Sequence, residues 1–323
     1  MIQEMQEIPS RLRAVEYELP VEEPVVFGEL GATFSFGFRD VAIPSSLTQR
    51  FLKQCRIENV FDYTSREDLA KKIKKTLEEK RIILRGKVET TKDFENSVDW
   101  FAVVSEEFKP VYPRDVHAIL KEQFGEVAKI RFIQENDSVH IAYPMHAMIP
   151  GLHMYVDTGR FGLYGGDAQR ALRSGIAWFN PLCRNWTLFL GDFLQKEMGK
   201  KQRVIHRGNG EFYDTTLVGK LEDAKKWASL VAGKIGDSTD IEISKDDLED
   251  YLDIYVGRGL LNQNMREALL ARIPEKTNLY NVAYDMTELC QKMTRTGSAR
   301  SKVEYLAGEL LLCHERIFEE IRN

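Results

Sequence analysis

The sequence lacks the markers of several protein classes. Its 323 residues include four cysteines and no CxxC pair, so the disulfide framework of small secreted domains is excluded. No apolar run approaches the roughly 18 residues that would indicate a membrane-spanning helix. Positive charge is not in excess, because 45 basic and 50 acidic residues leave a net charge of −5. A global cationic field is therefore absent, and any anion site has to be local.

Targeting and cofactor signals are also missing. The opening residues MIQEMQEIPSRLR carry charges where a signal peptide needs an apolar core, so we expect reduced thiols and a cytoplasmic protein, in the host cytoplasm if a phage encodes it. No Walker, GxGxxG or HExxH pattern occurs, and we expect no cofactor. The spacing of His140, His146 and His153 is too wide for a compact metal site, so we interpret them as core or surface imidazoles.

What the sequence does contain is a regular series of local folding signals. Ser65 and Asp68 form a capping box that opens a helix over 66–80, and Ser244 with Asp247 predicts the start of a later helix. Paired β-prone runs predict two hairpins, over 81–105 and 129–143. Between the hairpins, Pro113 and Gly125 have the positions expected of the first residue and the C-cap of another helix.

Strands cluster early in the chain and helical periodicity follows after Asp214. This order predicts an α+β protein with an antiparallel, hairpin-rich sheet in the N-terminal two-thirds and a helical C-terminal third. We divide the chain into an extended arm over 1–40, a hairpin-rich core over 41–210 and a helical region over 211–323.

Charge is distributed unevenly along the chain. Segment 196–207 has a net charge of +4, whereas segment 237–253 has a net charge of −7. A basic excess also occupies the segment from Arg66 to Lys92, although its lysines Lys71, Lys72, Lys74 and Lys75 are equally typical of the solvated face of an amphipathic helix. Near the last helix, KMTRTGSARSK places cations at a positive helix end, a conflict that an anion or a frayed terminus would resolve.

The segment GRFGLYGGDAQRALRSG combines arginines, glycines and aromatic residues. Glycines let backbone N–H groups approach an anion, and arginine and aromatic planes stack on bases, so this composition suits single-stranded nucleic acid. A structural loop with glycines at tight turns is the alternative. The predicted nucleic-acid-binding residues are Arg160, Phe161, Tyr164, Arg170, Arg173, Arg184, Trp186, Lys200, Lys201, Arg203 and Arg207, with phosphates held by the cations and bases stacked on the three aromatic rings.

Six segments, in a fixed order, carry a family resemblance: IPSSLTQRFL from Ile43, WFAVVSEEFKPVYPRDVHAIL from Trp100, GLHMYVDTGRFGLYGG from Gly151, PLCRNW ending at Trp186, VIHRGNG from Val204 and TNLYNVAYDMTELC from Thr277. Their order resembles the phage- and plasmid-like family catalogued as domain of unknown function 932, over most of residues 40–310. The family usually has Cys-Thr-Asn-Gly where this chain has Cys-Arg-Asn-Trp at 183–186. The resemblance implies a mobile-element origin and no established activity.

These observations favour a nucleic-acid-binding protein of phage or plasmid metabolism, a homo-oligomer that binds or anneals single-stranded DNA in replication or recombination. Two alternatives stay open. The first is a protein-binding or structural phage protein, such as a virion component or anti-defence factor, whose acidic segment 237–253 contacts a basic partner. The second is a hydrolase that uses Asp157, because MYVDTG at 154–159 resembles the loop in which paired aspartates of aspartic proteases share a proton. We expect binding in preference to catalysis.

Overall fold

A computed structural model describes residues 2–27, 33–36, 41–58, 65–90, 96–125, 129–145, 149–167, 172–180, 185–190, 203–204, 219, 226–294 and 296–322. The fold is α+β, with antiparallel hairpins in the N-terminal part and helices in the C-terminal third, as the sequence predicts. The strands are β1 (Ile2–Met5), β2 (Val15–Glu18), β3 (Val25–Phe27), β4 (Thr33–Phe36), β5 (Val41–Ile43), β6 (Ile82–Thr90), β7 (Asn96–Ser105), β8 (Lys129–Ile133), β9 (Ser138–Pro144), β10 (Leu152–Asp157), β11 (Leu172–Phe179), β12 (Trp186–Leu190), β13 (Arg203–Val204), β14 (Glu242–Ser244) and β15 (Lys276–Asn278). The helices are α1 (Ser45–Gln54), α2 (Arg66–Glu79), α3 (Pro113–Phe124), α4 (226–237), α5 (Lys245–Gly257), α6 (Gln263–Arg272), α7 (Leu279–Met293) and α8 (Gly297–Arg322).

The main sheet has the order β1-β8-β9-β10-β11-β12, and β13 pairs with the start of β11. Every pairing in it is antiparallel, because successive hairpins place each strand beside its neighbour in sequence. Strands β1 and β13 are the exceptions in sequence order, since β1 pairs with β8 and β13 pairs with β11. Residues 2–5 are therefore integrated into this sheet.

Two smaller sheets complete the N-terminal part of the fold. Strand β2 joins the hairpin β6-β7, and β3, β4 and β5 form a meander. Helices α1 and α2 pack their apolar residues against these strands, in a hydrophobic cluster that includes Phe34, Phe51, Leu69 and Ile73. A separate, larger cluster lies between the main sheet and helices α3 to α8.

The local signals in the sequence act as predicted. The Ser65 side chain accepts a hydrogen bond from the Asp68 N–H at the start of α2, and Ser244 does the same with the Asp247 N–H at the start of α5. Pro113 begins α3, and Gly125 ends it with a φ of 77°. Because each cap satisfies a backbone group that the helix leaves unpaired, these short patterns locate helix ends without tertiary information.

Candidate functional site

A row of charged residues crosses one face of the main sheet. Strand register places Arg131 of β8 opposite His140 of β9, His140 opposite Asp157 of β10, and Asp157 opposite Arg173 of β11. Residues directly opposite each other on antiparallel strands share a face, so these four side chains are neighbours. The register continues from Arg173 to Arg203 of β13.

The row begins at a buried ion pair. The guanidinium of Arg131 donates to both carboxylate oxygens of Glu304 in α8, at 2.9 and 3.0 Å, and both side chains are 1% exposed. Burial opposes the charge on Arg131, but Glu304 outweighs it and raises the pKa of the guanidinium above its ordinary value. Arg300 also donates to Glu304, at 3.0 Å. This pair joins the last helix to the centre of the sheet.

The middle of the row is a connected set of polar groups. The Tyr155 Oη lies 2.8 Å from His140 Nδ1, and His140 Nε2 lies 3.4 Å from Asp157 Oδ1. Asp157 Oδ1 also accepts a hydrogen bond from the Gly159 N–H at 2.8 Å. Burial raises the pKa of the Asp157 carboxyl, but His140, Gly159 and Arg173 together outweigh it, so the pKa is below its ordinary value. The Asp157 carboxylate is therefore ionised at neutral pH.

The turn after β10 fixes Asp157 in this position. The Thr158 N–H donates to the Val139 carbonyl, and the Val139 N–H donates to Thr158 Oγ1, both at 3.0 Å. A side chain at Gly162 would clash with Thr158 Oγ1. This environment differs from that of an aspartic protease, in which two carboxylates share a proton and one pKa is raised. Asp157 is instead held charged by groups that include Arg173.

The structure revises the predicted base-stacking residues. Phe161 is 5% exposed and stacks on Phe101 with ring centroids 4.3 Å apart. Trp186 is 1% exposed, and the Arg131 guanidinium lies over its ring, 4.8 Å from the Trp186 ring centroid. Tyr164 is half-buried and packs against Phe101. Because aromatic residues provide core volume as readily as stacking surface, the sequence pattern did not separate the two roles, and in this structure neither Phe161 nor Trp186 offers a ring face to a base.

The predicted phosphate-binding cations have three different placements. Arg160 is exposed, with its guanidinium 4.8 Å from the Phe161 ring centroid. Arg173 is half-buried in β11 beside Asp157, and Arg203 is in β13. The pairing of β11 with β13 brings together the backbone positions of Arg173 and Arg203, which are 30 residues apart in sequence. The remaining predicted residues, Arg170, Arg184, Lys200, Lys201 and Arg207, lie outside the described residues.

Intramolecular contacts account for several of the other charge patterns. In the acidic segment, Glu249 and Asp253 both pair with Arg266 of α6. On α2, Lys71 and Lys75 are exposed while Leu69 and Ile73 are buried, which is the solvated helix face considered above. Two of the eight acids of segment 237–253 are therefore paired within the fold, and the α2 lysines lie on a solvated face.

At the start of α8 the predicted conflict between cations and the helix dipole is resolved within the molecule. The carboxylate of Glu135, in the turn between β8 and β9, accepts a hydrogen bond from the Gly297 N–H at 3.1 Å. A carboxylate at this position interacts favourably with the positive end of the helix. The anion at the start of α8 is thus the carboxylate of Glu135, a residue of the same chain.

The charged row is not among the sites predicted from the sequence, although the sequence contains a signal for it. Alternation within the hairpins places Arg131, His140 and Asp157 at equivalent positions of consecutive strands, and aligning the hairpins by register would have joined them. Glu304 was not accessible to such an alignment, because it comes from a helix more than 170 positions away in sequence.

Comparisons with known proteins supply no identity for this site. No protein-family model, no curated protein and no solved structure matches the chain. Among the described residues, no group of three or more His, Cys, Asp or Glu side chains could hold a metal ion. Within the same part of the chain, every helix is too short or too polar to cross a membrane. The resemblance to the phage- and plasmid-like family stays a prediction.

Proposed function

We propose that the protein binds single-stranded nucleic acid through its phosphates at the β11-β13 edge of the main sheet. The observation that carries this proposal is the backbone register that sets Arg173 opposite Arg203. Two arginines at directly opposite positions of neighbouring strands provide adjacent cationic positions for anions. A phosphate backbone supplies such anions at regular intervals.

Two further observations support an anion at this edge. Arg160 follows the end of β10, where Asp157 is in register with Arg173, and its side chain is exposed, so we place its guanidinium within reach of a strand bound at this edge. Arg173 is half-buried, and a partly desolvated guanidinium binds phosphate more strongly than a fully hydrated one. Asp157 lies opposite Arg173 in the strand register, so its negative charge reduces the local positive potential at this edge.

Because Phe161 and Trp186 are buried, the proposed binding relies on phosphate contacts. Contacts of this type position a strand without reading its sequence. Binding should therefore be salt-sensitive and weakly dependent on base identity. The mobile-element context, the homo-oligomer and the cytoplasmic location remain part of the proposal as predictions.

The test is fluorescence anisotropy of a labelled single-stranded oligonucleotide, and of its duplex, at several salt concentrations. We expect the logarithm of the association constant to fall linearly with the logarithm of salt concentration for the single strand. In the double variant Arg160→Gln/Arg173→Gln, the loss of two phosphate contacts should weaken binding by about tenfold or more and reduce the salt slope by about 1.4, that is, about 0.7 for each lost contact.

The matched control is Lys71→Gln/Lys75→Gln on α2, which removes the same number of charges from exposed helix positions. If the proposed edge is the binding site, this control retains wild-type affinity within about twofold, because remote charges are screened at physiological salt. Equal weakening in both double variants, or no binding by the wild type at low salt, would contradict the proposal.

A further inference from the structure

A separate open groove lies between helix α3 and the residues that follow β1. Its volume is about 420 Å³, within the range of small-molecule sites. Residues of α3 form one wall, and the chain after β1 forms the other. The lining includes Arg114, His117 and Lys121 on the helix side and Glu7, Ile8 and Ile130 on the strand side.

Three nitrogen-containing side chains of α3 line the groove. Arg114, His117 and Lys121 are spaced by three and four residues, so they lie on one face of α3. At 1.5 Å per residue, their backbone positions are about 4.5 and 6 Å apart along the helix axis. The adjacent face of α3 carries Val116 and Leu120, which are fully buried in the main core. The basic face is therefore fixed toward the groove.

The charge on this wall is not fully neutralised inside the molecule. Arg114 is exposed and forms no hydrogen bond or ion pair with any residue that the structure describes. By contrast, Arg81, Arg131 and Arg266 all pair with carboxylates. Glu7 lines the same groove and does not pair with Arg114 within ion-pair distance. An unpaired guanidinium in a cleft is well suited to a phosphate oxygen.

His117 has a defined orientation in this wall. Its Nδ1 lies 2.6 Å from the Oη of Tyr143, and Tyr143 is fully buried in β9. Burial raises the pKa of Tyr143 above its ordinary value, so the hydroxyl stays protonated and remains a hydrogen-bonding group. The ring is thus positioned by the core and not by solvent. Rigid placement reduces the entropy lost when a ligand binds.

We propose that this groove binds a phosphorylated small molecule of about mononucleotide size. Arg114 and Lys121 hold the phosphate groups, Ile8 and Ile130 contact the apolar part of the ligand, and Glu7 accepts hydrogen bonds from its hydroxyl or amino groups. The site is distinct from the β11-β13 edge, since it shares none of that edge's residues. It therefore adds a ligand to a protein whose proposed partner is a nucleic-acid strand.

The experiment is isothermal titration calorimetry of the full-length chain with three probes: ADP, inorganic pyrophosphate and adenosine. We expect ADP and pyrophosphate to bind, and adenosine to give no detectable heat at the same concentration, because the phosphates make the charged contacts. The variant Arg114→Gln/Lys121→Gln should bind ADP at least about tenfold more weakly. Both side chains are exposed, so its circular dichroism and thermal unfolding should match the wild type.

The control is Arg160→Gln/Arg173→Gln, which we expect to bind ADP within about twofold of the wild type while it loses the oligonucleotide. This reciprocal pattern separates the two proposals, because each double variant weakens the binding of one ligand and leaves the affinity for the other unchanged. The groove proposal is overturned if neither ADP nor pyrophosphate binds at about 5 mM, or if both double variants weaken ADP equally. Binding of adenosine as tight as that of ADP would also overturn it.

Discussion

At the scale of single residues, the least expected feature is a fully buried ion pair. Arg131 donates two hydrogen bonds to the Glu304 carboxylate, and each side chain is 1% exposed. Removing two charges from water is costly, and their mutual attraction offsets that cost only when the geometry is good. The pair thus depends on both partners being present.

We expect Glu304→Leu to lower the free energy of unfolding by about 3–5 kcal/mol, because it leaves the Arg131 charge buried without its carboxylate. Adding Arg131→Met in the same chain should recover much of this loss, since an apolar pair of similar volume needs no counterion. Urea denaturation measures both values. The exposed pair Arg56–Glu79 is the control, and Glu79→Leu should cost less than about 1 kcal/mol. A small effect of Glu304→Leu would show that water reaches Arg131.

Among secondary-structure elements, helix α8 packs very closely against strand β12 at Gly308. A Cβ atom at Gly308 would collide with the Leu188 carbonyl oxygen, a backbone atom that is held in the sheet. Glycine is therefore required here by packing, although glycine ordinarily destabilises a helix interior. The helix lies where it does because one residue lacks a side chain.

Because of this close approach, we expect the same Gly→Ala substitution to have opposite effects on stability at two helix positions. We expect Gly308→Ala to destabilise the protein by about 1–3 kcal/mol, because the added methyl group forces α8 away from β12. Gly233→Ala in α4 has open space around the new atom, so it should stabilise the protein by up to about 1 kcal/mol. Thermal unfolding of the two variants compares them directly. If both substitutions stabilise the protein, α8 must pack further from β12 than the structure shows.

At the scale of the whole molecule, Arg85 joins the small β2-β6-β7 sheet to the turn after β10. Its guanidinium donates to the carbonyl oxygens of Tyr164 and Gly166, at 2.7 and 3.0 Å, and to Glu16 at 3.0 Å. The side chain is 1% exposed. It therefore adds polar contacts between two parts of the molecule that also share the hydrophobic cluster containing Phe101 and Phe161.

We expect Arg85→Leu to lower the free energy of unfolding by about 2–4 kcal/mol, because two buried carbonyl groups lose their donors. Arg81→Leu on the same segment removes an exposed pair with Glu18, and it should cost less than about 1 kcal/mol. Urea denaturation followed by tryptophan fluorescence measures both. Equal costs would indicate that water replaces the guanidinium at Tyr164 and Gly166.

Local patterns in the sequence predicted several helix ends, two hairpins and the order of strands before helices, but not helix α1 or the short strands β14 and β15. Ser65, Pro113, Gly125 and Ser244 locate helix ends because each acts on backbone groups within four residues, and such local interactions need no knowledge of the fold. Hairpins were equally accessible, since alternation and turn residues are also local. The strand-then-helix order followed, and with it the α+β class.

Only the tertiary structure decided which residues form the sites. Phe161 and Trp186 have the composition of a stacking surface, yet they are buried, because burial depends on what packs above a ring and not on its neighbours in sequence. Glu304 reaches Arg131, and Glu135 reaches Gly297, across more than 160 positions. The convergence of Arg173 and Arg203 likewise requires the pairing of β11 with β13. Charge contacts act through space, so the distances that define these sites exist only in the folded chain.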